Sequence, residues 1–217
     1  MMTSMLYRVP ASNYPVALRS QGMYITDRDG RSYLDMSGGA AVSCVGHAHP
    51  RVLESVGEPL SRLAFAHTAF FTNEPQEQLA SRLRERFGDP RARVYFTSGG
   101  SEANETALKM AWQFWAAQDE PDRKVVISRE HSYHGNTFGV LSVSGNPDRR
   151  RASAAPLLDW PRIAPCYAYR DRRQEESPDQ YVERVSGELE KAIQSSGPEQ
   201  VAAFICEPVV GSSLGVV

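Results

Sequence analysis

Residues 92–117 read ARVYFTSGGSEANETALKMAWQFWAA, a β-branched and aromatic run that meets two glycines and leaves with helical periodicity. The same alternation recurs downstream. KVVISR (124–129) and QVAAFICEP (200–208) are short apolar runs, and DQYVERVSGELEKAIQSSG (179–197) between them has a helical pattern ending at Gly197. Strands alternating with helices predict an α/β fold with a mostly parallel sheet and flanking helices. On this reading 92–98 is the first buried strand. A helix follows from about Glu102 to Ala117, with Ala103, Ala107, Met110, Ala111 and Phe114 on its apolar stripe. The run 200–208 is a third buried strand, stopped by Pro208. The stretch 146–178, rich in Pro, Arg, Asp and Ser, reads as a surface excursion with one strand near Ile163–Ala164. The arginine runs 149–151 and 170–173 read as solvated loop charges.

The N-terminal part has a different texture. GMYITDRDGRSYLDMSGG (22–39) reads as a hairpin, two alternating runs around Tyr24–Ile25 and Tyr33–Leu34 flanking a turn at Asp29–Gly30. Helical periodicity after His49 is interrupted at Gly57 and Pro59. Pro75 opens an amphipathic helix on which Leu79 and Leu83 share a face and which Gly88 stops.

Composition narrows the class of function. A formal charge of −2 gives no electrostatic reason to expect nucleic acid or an anionic membrane as partner. The three cysteines, Cys44, Cys166 and Cys206, are odd in number and far apart, which argues against a disulfide framework. MMTSMLYRVP at the start has no apolar core of signal-peptide length, and no run approaches the roughly 20 apolar residues that cross a bilayer. The expectation is a soluble, cytoplasmic protein. His47 and His49 lack a third ligand at usable spacing, so they read as loop-positioning residues and no metal is expected.

The strand–glycine–helix junction is where ligand chemistry concentrates. A helix N-terminus carries unpaired N–H groups and the positive end of the helix dipole. Glycines allow close approach of backbone to a ligand, and serine hydroxyls add donors, so Gly99, Gly100 and Ser101 suit an anion such as a phosphate. A tight turn with Ser101 as N-cap accounts for the same residues. The dinucleotide fingerprint and the nucleoside-triphosphate loop are both absent.

TSGGSEANETALKMA, HSYHGNTFG and FICEPVVG, in that order, resemble the N-terminal half of a class III pyridoxal-5′-phosphate-dependent aminotransferase. GHAHPRV (46–52) and the hairpin segment match the family's opening, and the resemblance covers essentially the whole chain. It implies a fold-type I transferase. Residues 1–60 would be part of the small domain, and residues 61–217 the first part of the large cofactor-binding domain. It also implies that Gly99, Gly100 and Ser101 cradle the phosphate of pyridoxal 5′-phosphate and that Tyr133 stacks on its pyridine ring. The family often has serine where Gly99 stands, so backbone donors carry more of the contact here. His134 belongs to the same Tyr-His-Gly motif, as a cofactor-site or loop-positioning residue. Glu207 resembles the carboxylate that pairs with a substrate-gating arginine late in the family's sequence. Phe70 and Phe71 read as packing residues or as the wall of a neighbouring subunit's pocket.

By the same resemblance, substrates are a small amine or ω-amino acid and an oxo-acid, and the assembly is a homodimer. A racemase or aminomutase of the family, or a non-catalytic cofactor-binding or dimerisation fragment, are the alternatives. The lysine that carries the cofactor as a Schiff base and the aspartate beside its ring nitrogen come after the Glu-Pro motif in the family. The three lysines here, Lys109, Lys124 and Lys191, do not match that segment, so the 217 residues are expected to be part of a longer polypeptide.

Overall fold

The computed structural model describes residues 4–7, 9, 12–213 and 215. The reading of the N-terminal ten residues therefore lies partly outside the described residues. The chain forms two compact units, residues 1–93 and 94–217.

In the first unit, β1 (Ala17–Gln21), β2 (Tyr24–Asp27) and β3 (Ser32–Leu34) form an antiparallel sheet in that order. The expected hairpin is its β2–β3 half, with Tyr24 opposite Leu34 and Ile25 opposite Tyr33. Asp27 organises the turn. Its buried carboxylate accepts the amides of Asp29 and Arg31, each at 2.9 Å, and the Tyr33 hydroxyl at 2.7 Å. A short turn, α1 (Gly38–Ala41), follows, in which Gly39 and Ala40 are left-handed. The Asp35 carboxylate gathers this segment through the hydroxyls of Ser43 (2.8 Å) and Ser37 (2.9 Å) and His47 Nε2 (2.8 Å). These bonds, the one from Ser43 foremost, hold its carboxyl well below the usual carboxylate range.

Helix α2 (Pro50–Arg62) is continuous, in contrast to the expected interruption, and carries Pro59 inside it. Proline in a helix interior removes one backbone bond, and here the helix ends three residues later. Helix α3 (Glu74–Phe87) starts as its sequence predicts. The Asn73 side chain accepts the Gln76 amide at 3.0 Å, and Gly88 ends it in the left-handed conformation. Its Leu79 and Leu83 are exposed.

The second unit contains α4 (Gly100–Ala116), β4 (Val125–Arg129), α5 (Phe138–Val143), α6 (Pro147–Arg151), β5 (Arg162–Ile163), α7 (Ala168–Asp171), α8 (Pro178–Ser196) and β6 (Val201–Phe204). The sheet is parallel with order β5-β4-β6. Central β4 is the buried strand: Val126, Ile127 and Ser128 are wholly buried. The expected strand 200–208 is shorter and only half-buried, because β6 lies at the edge. The expected strand 92–98 does not form. None of its residues joins a ladder among the described residues, and Tyr95 and Phe96 are exposed. Strand propensity becomes a strand only where a neighbour supplies backbone partners.

The core gathers Leu108, Val126, Val140 and Val143, with Trp112, Trp160, Ala203 and Ile205 packed against them. Each such aliphatic side chain contributes roughly 1.5–3 kcal/mol on burial. The indoles fasten α4 to the sheet, Trp112 Nε1 donating to the Lys124 carbonyl (3.0 Å) and Trp115 Nε1 to that of Ala202 (2.8 Å). The buried face of α4 is therefore rotated from the expected stripe, and Met110 and Phe114 are exposed. Helix α8 begins with a capping box between Ser177 and Gln180, and it buries Tyr181 and Val185. No helix among the described residues is long and apolar enough to cross a membrane.

Candidate functional site

The N-cap of α4 is Gly99, not Ser101. Its backbone is extended, at φ −168°, a conformation open to any residue. Glycine at 99 and 100 is thus not demanded by the backbone, and a Cβ at either position would meet nothing within 4 Å. What these glycines leave is open space over the helix end. Among the described residues, no carbonyl or side chain accepts from the amides of Gly99, Gly100 or Ser101. Glu102 instead turns back to the Ser98 amide (3.0 Å) and hydroxyl, and those two bonds lower its own pKa.

The loop after β4 lies against this helix end. Ser101 Oγ accepts the Asn136 amide at 3.0 Å, and Asn104 Nδ2 donates to the His134 carbonyl at 2.6 Å. Glu105 Oε1 accepts the Thr137 hydroxyl at 2.6 Å and the Gly139 amide at 2.9 Å. Ser101, Asn104 and Glu105 stand at i, i+3 and i+4, on one face of the helix.

Tyr133, in this loop, is half-buried. Its amide donates to Glu207 Oε2 at 2.9 Å, and the Arg149 guanidinium lies 4.3 Å from its ring centroid. Glu207 follows β6, at the carboxyl edge of the parallel strands, where open α/β sheets hold ligands. His134 is buried: its amide donates to Ser144 Oγ at 2.9 Å, its Nε2 has no partner among the described residues, and desolvation pushes its pKa down. Neutral imidazole is the form such a site favours. The junction, Tyr133, His134 and Glu207 are thus joined through hydrogen bonds of one loop.

The arginine run 149–151 is not simply solvated. Arg150 Nη1 donates to the carbonyls of Leu141 (2.7 Å), Ser142 (2.8 Å) and Ser144 (3.0 Å), capping the carboxyl end of α5. In the run 170–173, Arg170 lies over the Tyr167 ring. The lysines 109, 124 and 191 are all exposed. A depression of about 360 Å³ runs beside α4, lined by Tyr95, Thr97, Glu102, Glu105 and Lys109. Larger depressions, of about 770 and 830 Å³, lie within the first unit and include no residue of the junction. In that unit His47 pairs with Asp35 and exchanges backbone hydrogen bonds with Gly22, and His49 precedes α2.

The family model of class-III aminotransferases matches residues 7–217. The chain belongs to the class-III aminotransferase family. It is 37% identical over 212 residues to an uncharacterized aminotransferase of Schizosaccharomyces pombe, covering 97% of this chain and 46% of that protein. It is 35% identical over 196 residues to the mitochondrial gamma-aminobutyrate transaminase 1 of Oryza sativa subsp. japonica, covering 89% of this chain and 38% of that protein. The omega transaminase from Pseudomonas jessenii, solved in complex with PMP, superposes with a TM-score of 0.89 at 31% identity. That match covers 97% of this chain and 49% of the solved one. The chain spans less than half the length of these curated relatives.

For this class-III aminotransferase chain, the resemblance in sequence located the junction and the Tyr-His-Gly loop but missed the side chains that bind one to the other. Asn104 and Glu105 were legible only as polar residues. Their spacing from Ser101 along a helix with a buried Leu108 on the same face was the available signal.

Proposed function

We propose that this chain contributes the phosphate-anchoring part of a pyridoxal-5′-phosphate-dependent aminotransferase, which moves an amino group from an amine or ω-amino acid to an oxo-acid. The observation that carries the reading is the helix end at 99–101, three amides without acceptors among the described residues, with open space where a Cβ of Gly99 or Gly100 would stand. A phosphate there takes amide donors and the positive end of a helix dipole together. The residues therefore fit the cofactor. Gly99, Gly100 and Ser101 would hold its phosphate, Tyr133 would offer a face to its ring, and His134 would support the loop from within.

When bound, pyridoxal 5′-phosphate supplies the carbonyl that carries the amino group and a ring that withdraws electrons from the reacting carbon. Glu207 orients the Tyr133 backbone through one carboxylate oxygen, leaving the other for a cationic partner such as the gating arginine of the family reading. Burial favours the neutral imidazole of His134, and its backbone, tied to Ser144 Oγ and Asn104 Nδ2, supports the loop. The reaction's lysine is assigned to a segment other than Lys109, Lys124 or Lys191. We include the homodimer and the cytoplasm in this proposal. Exposed Phe70, Phe71, Met110 and Phe114 support association of copies, and the free cysteines support a reducing compartment.

The test is amine turnover by the intact protein with cofactor present. Appearance of a new amino acid only when an oxo-acid such as pyruvate or 2-oxoglutarate is supplied is the expected result. Turnover of the amine substrate with no oxo-acid would favour an aminomutase or racemase, and failure to bind the cofactor would remove the reading.

A further inference from the structure

The helix α5 has an N-cap residue, Thr137, whose side chain makes no capping bond to its own helix. The capping group comes from α4. Glu105 Oε1 accepts the Thr137 hydroxyl at 2.6 Å, the Gly139 amide at 2.9 Å and the Val140 amide at 3.3 Å. Those amides are the second and third of α5, which have no acceptor inside the helix, and a negative charge is favourable at that end. The approach is close enough to dictate sequence. A Cβ on Gly139 would lie 2.8 Å from Glu105 Oε1 and closer still to Oε2, so any larger residue there would expel the carboxylate.

On the same face of α4, Ser101 one turn earlier and the adjacent Asn104 hold Asn136 and the His134 carbonyl. Of the three side chains, Glu105 alone brings a formal charge and collects three donors. The backbone it fixes begins four residues after Tyr133. The helix whose N-terminal amides form the proposed phosphate cradle is also the helix that carries this carboxylate.

We infer that Glu105 is a positioning residue of the site: by capping α5 from α4 it sets the Tyr133 loop at a fixed distance from the amides of residues 99–101. This rests on the cofactor reading above. Glu105 touches no ligand in this role. It acts through the loop, so its effect on cofactor binding depends on the Tyr133 ring being present.

The experiment is a double-mutant cycle on the intact protein, with the dissociation constant of pyridoxal 5′-phosphate measured by fluorescence titration. Glu105→Gln keeps the shape and loses the charge. It is expected to weaken binding about tenfold in the wild-type background but less than about twofold in Tyr133→Ala, since coupled residues are non-additive. Inorganic phosphate, titrated as a competitor, should bind the variant as it binds the wild type. Equal losses in both backgrounds, or no loss in either, would overturn the inference. Thr137→Val, which removes only the 2.6 Å bond, should give a smaller loss with the same dependence on Tyr133.

Amide hydrogen exchange without any ligand supplies an independent reading. In Glu105→Gln the amides of residues 139 and 140 should exchange faster while those of β4 stay unchanged. Unaltered exchange at 139 and 140 would also overturn the proposal. A wild-type protein that binds no pyridoxal 5′-phosphate, yet shows the exchange effect in the variant, would sink the cofactor reading while leaving the cap itself intact.

Discussion

The Glu207 carboxylate accepts the backbone N–H of Tyr133 at 2.9 Å, joining residues 74 positions apart in the chain. One comes from the segment after β6 and the other from the loop after β4, so the contact closes the carboxyl edge of the sheet across neighbouring strands. Hydrogen bonds to charged groups contribute about 1.5–3 kcal/mol. Glu207→Ala is expected to speed hydrogen exchange at Tyr133 and to weaken cofactor binding about tenfold, whereas Glu207→Gln, which retains an acceptor, should lose less. Fluorescence titration of the two variants measures the difference.

Gly100→Val separates ligand from fold. Beyond its own helical turn, a Cβ at Gly100 meets nothing within 4 Å among the described residues, so the midpoint of thermal unfolding should stay within about 3 °C of wild type. Cofactor and inorganic phosphate binding should both fall by at least about tenfold, because the side chain fills the space the phosphate oxygens need. Unchanged phosphate binding would take the junction out of the site.

Tyr133→Ala removes a ring that also carries the Arg149 guanidinium. Loss of stacking should weaken cofactor retention roughly three- to tenfold and shift its absorbance. A spectrum and an affinity identical to wild type would make Tyr133 a packing residue.

Gly145→Ala tests a close approach with no ligand in it. A Cβ there would fall on the Arg129 carbonyl and 2.7 Å from the Glu130 Cα, both backbone atoms at the end of β4. The loop must move, at a cost of about 3 kcal/mol in urea unfolding.

Acid sensitivity should trace in part to one ion pair. Glu176 accepts Arg184 Nε at 2.7 Å and Nη2 at 3.0 Å, and this pairing first of all lowers its pKa from 4.5 to about 2. A depressed folded-state pKa means that the stabilisation is present above pH 4.5 and is lost as pH falls toward 2. Glu176→Gln should flatten the acid limb of the stability profile, measured by denaturation between pH 5 and pH 2 (a span of about 3 units). The residual slope would reflect carboxylates such as Asp35, whose shift has the same sign.

The sequence carried its information where structure is local. The turn at Asp29–Gly30, the stop at Gly88 and the end of α8 at Gly197 all follow from residues a few positions apart, and all appear as expected. It failed where the deciding partner is distant. Residues 92–98 have strand-forming side chains but no ladder, because propensity names no neighbour. Counting apolar residues on α4 selected the stripe through Met110 and Phe114. The helix actually turns inward the face bearing Asn104, Glu105 and Leu108, whose polar members meet partners some 30 residues later. Arg150 read as a solvated charge for the same reason, since its three carbonyl partners are defined only once α5 exists.

At six residues α5 is far below the roughly 12–15 that hold a helix in water on their own. It is nonetheless bracketed by an acid at one end and a guanidinium at the other, with Val140, Leu141 and Val143 inside. A protease offered the native protein should therefore find no scissile bond between residues 138 and 145, however irregular the chain around them looks.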